Sequence, residues 1–444
     1  MGPSDAPQLA YENGKALARR ILDTTMAAID VRHAMRARLR LEGQTLVAGG
    51  ESIELTNPPR VVAIGKAANR MATTLDKILG GRIESGVVVS PSVPPQILSH
   101  FRYFQGGHPY PNAGSLGGAE AAIELLAGLT ESDTVIYLIS GGGSALFEKP
   151  LDPQISLNDL IELNRLLVGC GLPIEQINVI RKHLSSVKGG RLAVRAHPAW
   201  QLTIYISDVP DDVPSMVASG PTLPDESTAE QCYSLARKHD LTLKLPESIR
   251  KHFEARSLEG TPKPGDPRFA RSRYYCLLSN QDALEAAKTA AESLGFAVEI
   301  DVGNWDAHYR QVVDESMDRL DAARKRYPGK AVCLIQGGEV ISPVTGNGMG
   351  GRNQAFTLYA ANKIAEAKRT VLSAGTDGRD GNSPSGGAVA DGETMARARE
   401  LGLDAEEYLK ASDSYHFFAA LGDTIETGST DNNVRDVRLW LDFA

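Results

Sequence analysis

Cysteine is scarce in this chain, with four residues among 444, and the four lie far apart without forming a CxxC pair. This spacing predicts reduced thiols in the interior of a cytoplasmic protein. The sequence also lacks any apolar run long enough to span a membrane. The first residues carry acidic groups and no apolar h-region, so we expect no secretory signal peptide.

An excess of positive charge is absent as well. The 47 lysines and arginines are outnumbered by 55 aspartates and glutamates, which gives a net charge of −8. This balance argues against non-specific nucleic-acid binding, but small anionic substrates are recognised by local charge and remain compatible. The length predicts two domains, and 42% hydrophobic with 23% charged residues is globular composition.

Predicted strands alternate with predicted helices along both halves of the chain, which indicates an α/β fold with mostly parallel sheets. The segment Arg256–Ser272 is rich in proline, glycine and charge and is the predicted linker. We therefore predict an N-terminal domain over 8–258 and a C-terminal domain over 272–444. The closing stretch 434–443 predicts a final strand at a sheet edge.

A glycine-rich loop follows the most apolar predicted strand. The run Val135–Ile139 is followed by Ser140, Gly141, Gly142, Gly143 and Ser144. Three glycines let backbone N–H groups converge on an anion, with two serine hydroxyls beside them, so the loop predicts a phosphate site. A tight turn between strand and helix that binds nothing is the alternative.

Carboxylates follow two further predicted strands. Asp208 is nearest to a strand end, with Asp211 and Asp212 behind it, and such carboxylates suit Mg²⁺. Asp377 and Asp380, in GTDGRDG, could hold metal or act as a base. A solvated acidic loop is the alternative for the first group, and a glycine-stabilised turn is the alternative for the second.

Cationic side chains also stand near strand ends. Lys66 follows Gly65, where an ammonium group could reach a phosphate or carboxylate, although a solvated lysine fits equally well. His108, in GGHPYP, either binds substrate or makes a structural hydrogen bond. Arg352 begins a predicted helix, where its planar fork suits a carboxylate or phosphate.

A dinucleotide fingerprint is only weakly indicated. Gly346, Gly348 and Gly351 fit G-x-G-x-x-G, but Ser342-Pro343 separates them from the preceding strand. Since the other glycine-rich and acidic motifs lie at strand ends in both halves, we expect a site in a cleft between two facing domains.

Nine motifs occur in a fixed order: VAIGKAANRM, GGHPYPN, LISGGGSALFEKP, INVIRKHLSSVKGGRLA, ISDVPDD, ASGPTLPD, GGE, GNGMGGRNQ and SAGTDGRDG. In this the chain resembles the glycerate kinase family whose C-terminal part is called the MOFRL domain. The resemblance implies two Rossmann-like α/β domains with the active site between them. It implies ATP-dependent phosphorylation of D-glycerate, typically to 2-phosphoglycerate. It also implies that Lys66 and Arg352 are important for activity.

The remaining roles are hypotheses built on that resemblance. We expect Ser140–Ser144 to hold ATP phosphates, Asp208 to hold Mg²⁺ and Asp377 to accept the hydroxyl proton, although the two aspartates could exchange roles. Further residues are predicted to contact phosphate (Ser219, Gly220) or substrate (His108, Lys188, Arg191).

Two other functions stay open: an NAD(P)H-dependent hydroxypyruvate reductase and a non-catalytic nucleotide-binding protein. The expected partners are small molecules, without nucleic acid or membrane. A homodimer is one candidate for the oligomeric state.

Overall fold

The computed structural model describes residues 10–210, 213–303 and 306–443 of the chain. The chain divides into two compact units. The N-terminal unit is Ala34–Leu277, and the C-terminal unit joins Met1–His33 to Leu278–Ala444. Within the described ranges, no helix combines the length and the apolar character needed to cross a membrane.

The α-helices and β-strands follow one another along both units. The helices are α1 (Gly14–Ala28), α2 (Val31–Arg38), α3 (Ala68–Ile78), α4 (Ala113–Leu125), α5 (Gly143–Leu146), α6 (Leu157–Gly169), α7 (Ile174–Leu184), α8 (Arg191–Ala196), α9 (Ala229–Lys238), α10 (Glu247–Glu254), α11 (Asn280–Ser293), α12 (Tyr309–Arg326), α13 (Arg352–Lys363), α14 (Thr394–Glu400), α15 (Ala405–Lys410) and α16 (Ser414–Leu421). The strands are β1 (Leu39–Glu42), β2 (Thr45–Ala48), β3 (Glu51–Glu54), β4 (Arg60–Ile64), β5 (Ser85–Ser90), β6 (Phe101–Gln105), β7 (Thr134–Ile139), β8 (Trp200–Ile206), β9 (Ser272–Leu278), β10 (Ala297–Asp301), β11 (Val332–Gln336), β12 (Arg369–Gly375), β13 (Gly387–Asp391), β14 (Thr424–Ile425) and β15 (Asp436–Asp442).

The main sheet of the N-terminal unit has the strand order β6-β5-β4-β7-β8-β9. Its registered pairs, β6 with β5, β5 with β4, β4 with β7 and β7 with β8, are all parallel. Every residue of β7 is buried, as expected for an apolar central strand covered on both faces. Numbered within this sheet, the order is 3-2-1-4-5-6, the Rossmann order, so the predicted α/β class is confirmed.

Two smaller substructures complete the N-terminal unit. The strands β1, β2 and β3 form an antiparallel meander. Helices α6, α7, α9 and α10 enclose a second apolar core. Helix α6 begins where the Ser156 hydroxyl accepts a hydrogen bond from the Asp159 N–H and the Asp159 carboxylate accepts one from the Ser156 N–H, a capping box.

The sheet of the C-terminal unit is mixed, with the order β10-β11-β15-β12-β13-β14. Only β10 and β11 pair in parallel, whereas the other four pairs are antiparallel. The parallel arrangement expected for both halves therefore describes the first sheet better than the second. Helix α1 packs against this sheet and α11, so the opening helix belongs to the C-terminal unit and not to the predicted domain 8–258.

The final strand lies in the middle of its sheet, not at the predicted edge. All of β15 is buried between β11 and β12. Its charged residues suggest solvent exposure, but each has a place inside: the Asp442 carboxylate accepts a bond of 2.8 Å from Arg369 Nε. The Arg438 guanidinium lies 5.5 Å from the centre of the Phe356 ring. The sequence shows these charges but not their buried partners, so this central strand has the residue pattern of an edge strand.

The predicted linker is part of the N-terminal unit. Thr261 is buried, and its hydroxyl donates to the Asp225 carboxylate at 2.9 Å. Lys263 Nζ donates to the Asp225 carbonyl at 3.1 Å. The proline- and glycine-rich segment is therefore a fixed loop that packs onto its own unit. Composition predicted a linker instead, because composition does not show the side chains that anchor the segment.

Candidate functional site

The glycine-rich loop lies at the topological switch point of the N-terminal sheet. Strands β4 and β7 are neighbours, and their connections leave in opposite directions along the sheet, which opens a crevice at their carboxyl ends. The Ser140 N–H donates to the Ile64 carbonyl at 2.9 Å, and the Lys66 N–H donates to the Gly141 carbonyl at 3.0 Å. These two bonds hold the exits of both strands side by side.

Each glycine of the loop has its own structural reason. A Cβ on Gly141 would lie 2.2 Å from Oδ2 of Asp208, so the missing side chain lets that carboxylate lie against the loop. Gly142 has a left-handed φ of 81°. A Cβ on Gly143 would lie 2.5 Å from that of Ala218. The run of three glycines is therefore required by geometry beyond that of a simple turn.

The backbone of this loop offers free donors. Among the described residues, no acceptor receives a hydrogen bond from the N–H groups of Gly141, Gly142, Gly143 or Ser144. Successive N–H groups around a left-handed residue form a concave nest that favours an anion. The loop therefore has the geometry of a phosphate cradle.

Lys66 and His108 flank the loop. A Cβ placed on Gly142 would lie 3.3 Å from Cδ2 of His108 and 3.4 Å from Cγ of Lys66. Partial desolvation, followed by the charge of Lys66, lowers the pKa of His108. The Lys66 side chain and the open N–H donors favour an anionic ligand, to which the uncharged imidazole of His108 can donate one hydrogen bond.

A partly buried chain of hydrogen-bonded side chains contacts the loop. The hydroxyls of Ser144 and Ser219 lie 2.8 Å apart, and Ser219 donates to the Asn178 side-chain oxygen at 3.0 Å. Ala218 and Ser219 have left-handed φ values of 51° and 61°, which costs about 1–2 kcal/mol for each non-glycine residue. Strain of this kind persists where surrounding bonds impose it, often at functional sites. Gly220 follows in the same turn and its carbonyl accepts from the Gly190 N–H at 2.8 Å, so Ser219 is the one of the two predicted residues that contacts the loop.

Asp208 is the described carboxylate at the end of β8. Asp211 and Asp212, which follow it in the acidic segment, lie outside the described residues. Across the described ranges, no group of three or more histidine, cysteine, aspartate or glutamate side chains is arranged to hold a metal. One carboxylate beside a phosphate cradle still fits Mg²⁺, which commonly takes one or two carboxylates and completes its shell with phosphate oxygens and water.

Lys188 is not placed for the predicted substrate contact. Its side chain is fully buried and forms an ion pair with Glu148, while Nζ also donates to the Phe147 carbonyl at 3.3 Å. Burial lowers the pKa of Lys188, and Glu148 opposes that shift. The Lys188 side chain therefore lies in the interior of the unit, which corrects the predicted substrate contact.

Arg191 lies in a different pocket from the glycine loop. Its Nη2 donates to the Glu259 carbonyl at 3.3 Å, and the pocket it lines contains neither Lys66 nor any loop residue. A contact with the same substrate as the loop is therefore not supported by its position.

In the C-terminal unit, Arg352 begins α13 and makes a bidentate pair with Asp436. Nε lies 2.7 Å from Oδ2 and Nη2 lies 2.8 Å from Oδ1, while Glu339 lies 3.1 Å from Nη2. Burial lowers the pKa of Arg352, but Asp436 and then Glu339 more than offset it, so the net pKa is raised. The guanidinium is fixed, charged and still one-third exposed, as a side chain that binds an anionic group requires.

The carboxylates predicted after β12 take two different positions. A Cβ on Gly375 would lie 3.3 Å from Oδ1 of Asp377 and 3.4 Å from Oδ1 of Asp436, so Asp377 borders the pair made by Arg352. Asp380 is buried and accepts bonds from the Asn353 and Gln354 N–H groups at 3.0 and 2.8 Å. Asp380 therefore caps α13, and Asp377 remains the candidate base.

Two family models match the chain. DUF4147, described as a domain of unknown function, matches residues 17–254, and the MOFRL family model matches residues 332–436.

Solved and curated relatives cover nearly the whole chain. A D-glycerate 2-kinase from Thermotoga maritima is 37% identical over 399 residues, which cover 88% of this chain and 93% of that protein. A glycerate 2-kinase from Pyrococcus horikoshii is 34% identical over 430 residues, which cover 95% and 96%. A crystal structure of a glycerate kinase from Thermotoga maritima matches with a TM-score of 0.83 at 34% identity, covering 96% of this chain and 99% of the other.

The chain belongs to the glycerate kinase family with a C-terminal MOFRL domain. The resemblance stated from the motifs is thereby confirmed. A further family relative, from Agrobacterium vitis, is 34% identical over 439 residues and is named a putative hydroxypyruvate reductase.

Two residues of the candidate site were not predicted from the sequence. Asp436, which orients Arg352, lies in a strand whose charges suggested an edge. Asn178, which accepts from Ser219, lies within α7 and within the motif INVIRKHLSSVKGGRLA, but its residue type and spacing gave it no predicted role. The covariation of such partners across homologues, not their type or spacing, is the signal that would find them.

Proposed function

We propose that this protein transfers the terminal phosphoryl group of ATP to D-glycerate and forms 2-phosphoglycerate. The observation that carries the proposal is the glycine loop at the strand-order switch point, with open N–H donors beside Lys66 and the Asp208 carboxylate. Family membership supports the kinase reaction, since relatives are named glycerate 2-kinases.

The proposed roles follow from phosphoryl-transfer chemistry, which depends mainly on positioning and on neutralising charge. The N–H groups of Gly141–Ser144 would bind phosphate oxygens, and Lys66 would stabilise negative charge on the transferring group. Asp208 would hold Mg²⁺, which would neutralise phosphate charge when bound. The hydroxyl chain through Ser219 would keep Ser144 oriented.

On the acceptor side, Arg352 would bind the glycerate carboxylate through the N–H groups of its planar fork that the pair with Asp436 does not use. Its pair with Asp436 fixes the plane of that fork, which a flexible side chain would otherwise have to order on binding. Asp377, next to the same aspartate, would accept the proton from the attacking hydroxyl.

The deciding experiment incubates the purified chain with MgATP and D-glycerate and follows the products by ³¹P NMR. We expect a phosphate monoester at the 2-position and ADP in equal amounts. L-Glycerate and a Mg²⁺-free reaction serve as controls. ATP consumption independent of D-glycerate, or a product phosphorylated at the 3-position, would contradict the corresponding part of the proposal.

The reductase alternative is tested in parallel with NADH, NADPH and hydroxypyruvate. The fingerprint-like glycines have a packing explanation: Cβ atoms on Gly346 and Gly348 would lie 2.4 and 2.7 Å from the Ala411 carbonyl oxygen. We therefore expect no nicotinamide oxidation, and turnover without ATP would favour the reductase.

A further inference from the structure

A second pocket lies in the N-terminal unit, away from the glycine loop. Its volume is about 740 Å³, within the range of small-molecule sites. One wall is helix α8, which provides Arg191 and Arg195, and the other is the segment 259–268, which provides Lys263 and Arg268. None of Lys66, His108, Asp208 and the loop residues lines it.

The segment 259–268 is held in place without any ligand. Lys263 Nζ donates to Thr261 Oγ1 at 2.8 Å, to the Asp225 carbonyl at 3.1 Å and to the Ser227 carbonyl. Three prolines, at 262, 264 and 267, restrict the backbone further. The wall is therefore pre-organised, which lowers the entropic cost of binding.

Positive charge in this pocket exceeds the negative charge available to compensate it. Asp266 is committed to Arg268, with Nε at 3.0 and 3.2 Å from its two oxygens, and Asp225 pairs with the buried Lys182 at 3.0 Å. Glu259 is the remaining lining acid to set against Arg191, Arg195 and Lys263. This local excess is notable in a chain of net charge −8.

Arg191 also has an unsatisfied donor. Its Nε is buried and has no hydrogen-bond partner among the described residues, although Nη2 donates to the Glu259 carbonyl at 3.3 Å. An unsatisfied buried donor of this kind is costly to the folded state, so the Arg191 guanidinium is incompletely compensated within its own unit.

We propose that this pocket is a second ligand site and binds a phosphate-bearing small molecule. Two guanidinium groups offer planar forks that match phosphate oxygens, and the Lys263 ammonium adds a charge opposite them. Leu151, Val194 and the prolines line the space beside the cations and can contact an organic group attached to the phosphate. The ligand is either free phosphate or a phosphate monoester, since both present the same anion.

The test uses the full-length protein with two probes, inorganic phosphate and glycerol 2-phosphate. Binding is measured by calorimetry, and hydrogen exchange with mass spectrometry locates it. Because the glycine loop is also expected to bind phosphate, location matters as much as affinity. We expect slower exchange in peptides covering 186–196 and 259–269. Tighter binding of the monoester would identify an organic phosphate as the ligand, and tighter binding of phosphate would identify the free ion.

The informative variant is Arg195→Gln, because Arg195 is exposed and makes only a 3.5 Å bond to the Ser186 carbonyl, so the fold is preserved. Its matched control is Arg237→Gln on α9, an exposed arginine of the same unit outside the pocket. We expect the pocket affinity to fall about fivefold or more in the first variant and to stay unchanged in the second. Protection confined to 140–147, no protection at all, or wild-type affinity in Arg195→Gln would overturn the proposal.

Discussion

Among the residues of the glycine loop, Gly141 provides the sharpest test, because its φ is not left-handed and alanine adds no backbone strain. In Gly141→Ala the new Cβ would displace the Asp208 carboxylate, which now lies 2.2 Å from that point. We expect at least a tenfold loss of kcat and a higher Mg²⁺ requirement, with thermal stability nearly unchanged. Kinetics at varied Mg²⁺ measure this.

The matched control for that variant is Gly169→Ala. Gly169 ends α6, and an added Cβ there meets nothing within 4 Å. It should keep wild-type constants. If Gly141→Ala did the same, Asp208 would have no part in binding the metal.

Arg352→Lys tests whether the fork, and not just the charge, is needed. Lysine keeps the charge but cannot make the two parallel bonds to Asp436 while facing a carboxylate. We expect kcat/KM for glycerate to fall at least about tenfold, with ATP affinity nearly intact. Steady-state kinetics beside a melting curve give both quantities.

Arg369→Lys is the matched control for that substitution. Arg369 makes a similar buried contact, with Nε 2.8 Å from Asp442, but it lies away from Arg352 at the start of β12. It should lose stability and keep its kinetics. The same behaviour in Arg352→Lys would reduce Arg352 to a packing role.

At the scale of elements, the cap of α13 predicts a dependence of stability on pH. Burial raises the pKa of Asp380 from 3.8 to about 7, although the Asn353 and Gln354 N–H groups oppose the shift. The Asp380 carboxyl group has a higher pKa in the folded state than in the unfolded state, so between these two values the folded state binds more protons. Its contribution to the free energy of unfolding is therefore lost as the pH rises from about 4 to 7.

Asp380→Asn should remove that dependence. We expect the free energy of unfolding of the wild type to fall between pH 5 and 7 relative to the variant, by at most about 1.4 kcal/mol per pH unit. Denaturant titrations at several pH values measure the difference. Parallel curves would mean that the Asp380 carboxylate stays ionised in the folded state across this range.

Elements with regular periodicity were predictable from the sequence. The apolar spacing of residues 174–184 by itself predicts a helix with the bounds of α7, and the predicted strand Val135–Ile139 is β7 with one residue added. Apolar spacing and β-branched residues are local signals, so they need no knowledge of the partner elements.

Elements whose position depends on distant partners were not predictable. The charges of β15 looked solvent-exposed because their partners, such as Arg352 for Asp436, lie far away in the sequence. Lys188 looked like a ligand for the same reason, since Glu148 neutralises it from another segment. Local composition records charge but not the distant group that compensates it.

At the scale of the whole molecule, the two units have separate apolar cores and should unfold separately. Trp440→Ala removes a buried ring from the C-terminal core, and Leu138→Ala truncates a buried side chain of the N-terminal sheet. Each should cost about 2–5 kcal/mol in its own unit. Scanning calorimetry should show two transitions, with each variant lowering one. A shift of both transitions by either variant would show that the units unfold as one.

The central position of β15 sets the order in which the protein can fold on the ribosome. Strands β10 to β14 are made before β15 but remain as two sheet halves with exposed inner edges until it arrives. The N-terminal unit is contiguous in the chain and can close as soon as β9 has left the exit tunnel. At about 5–20 residues per second, synthesis from Gln336 at the end of β11 to Asp442 at the end of β15 takes on the order of 5–20 s, and β11 waits that long for its neighbour. During that interval β11 and β12 expose edges prone to aggregation, so slow translation of the last third of the chain should lower the soluble yield.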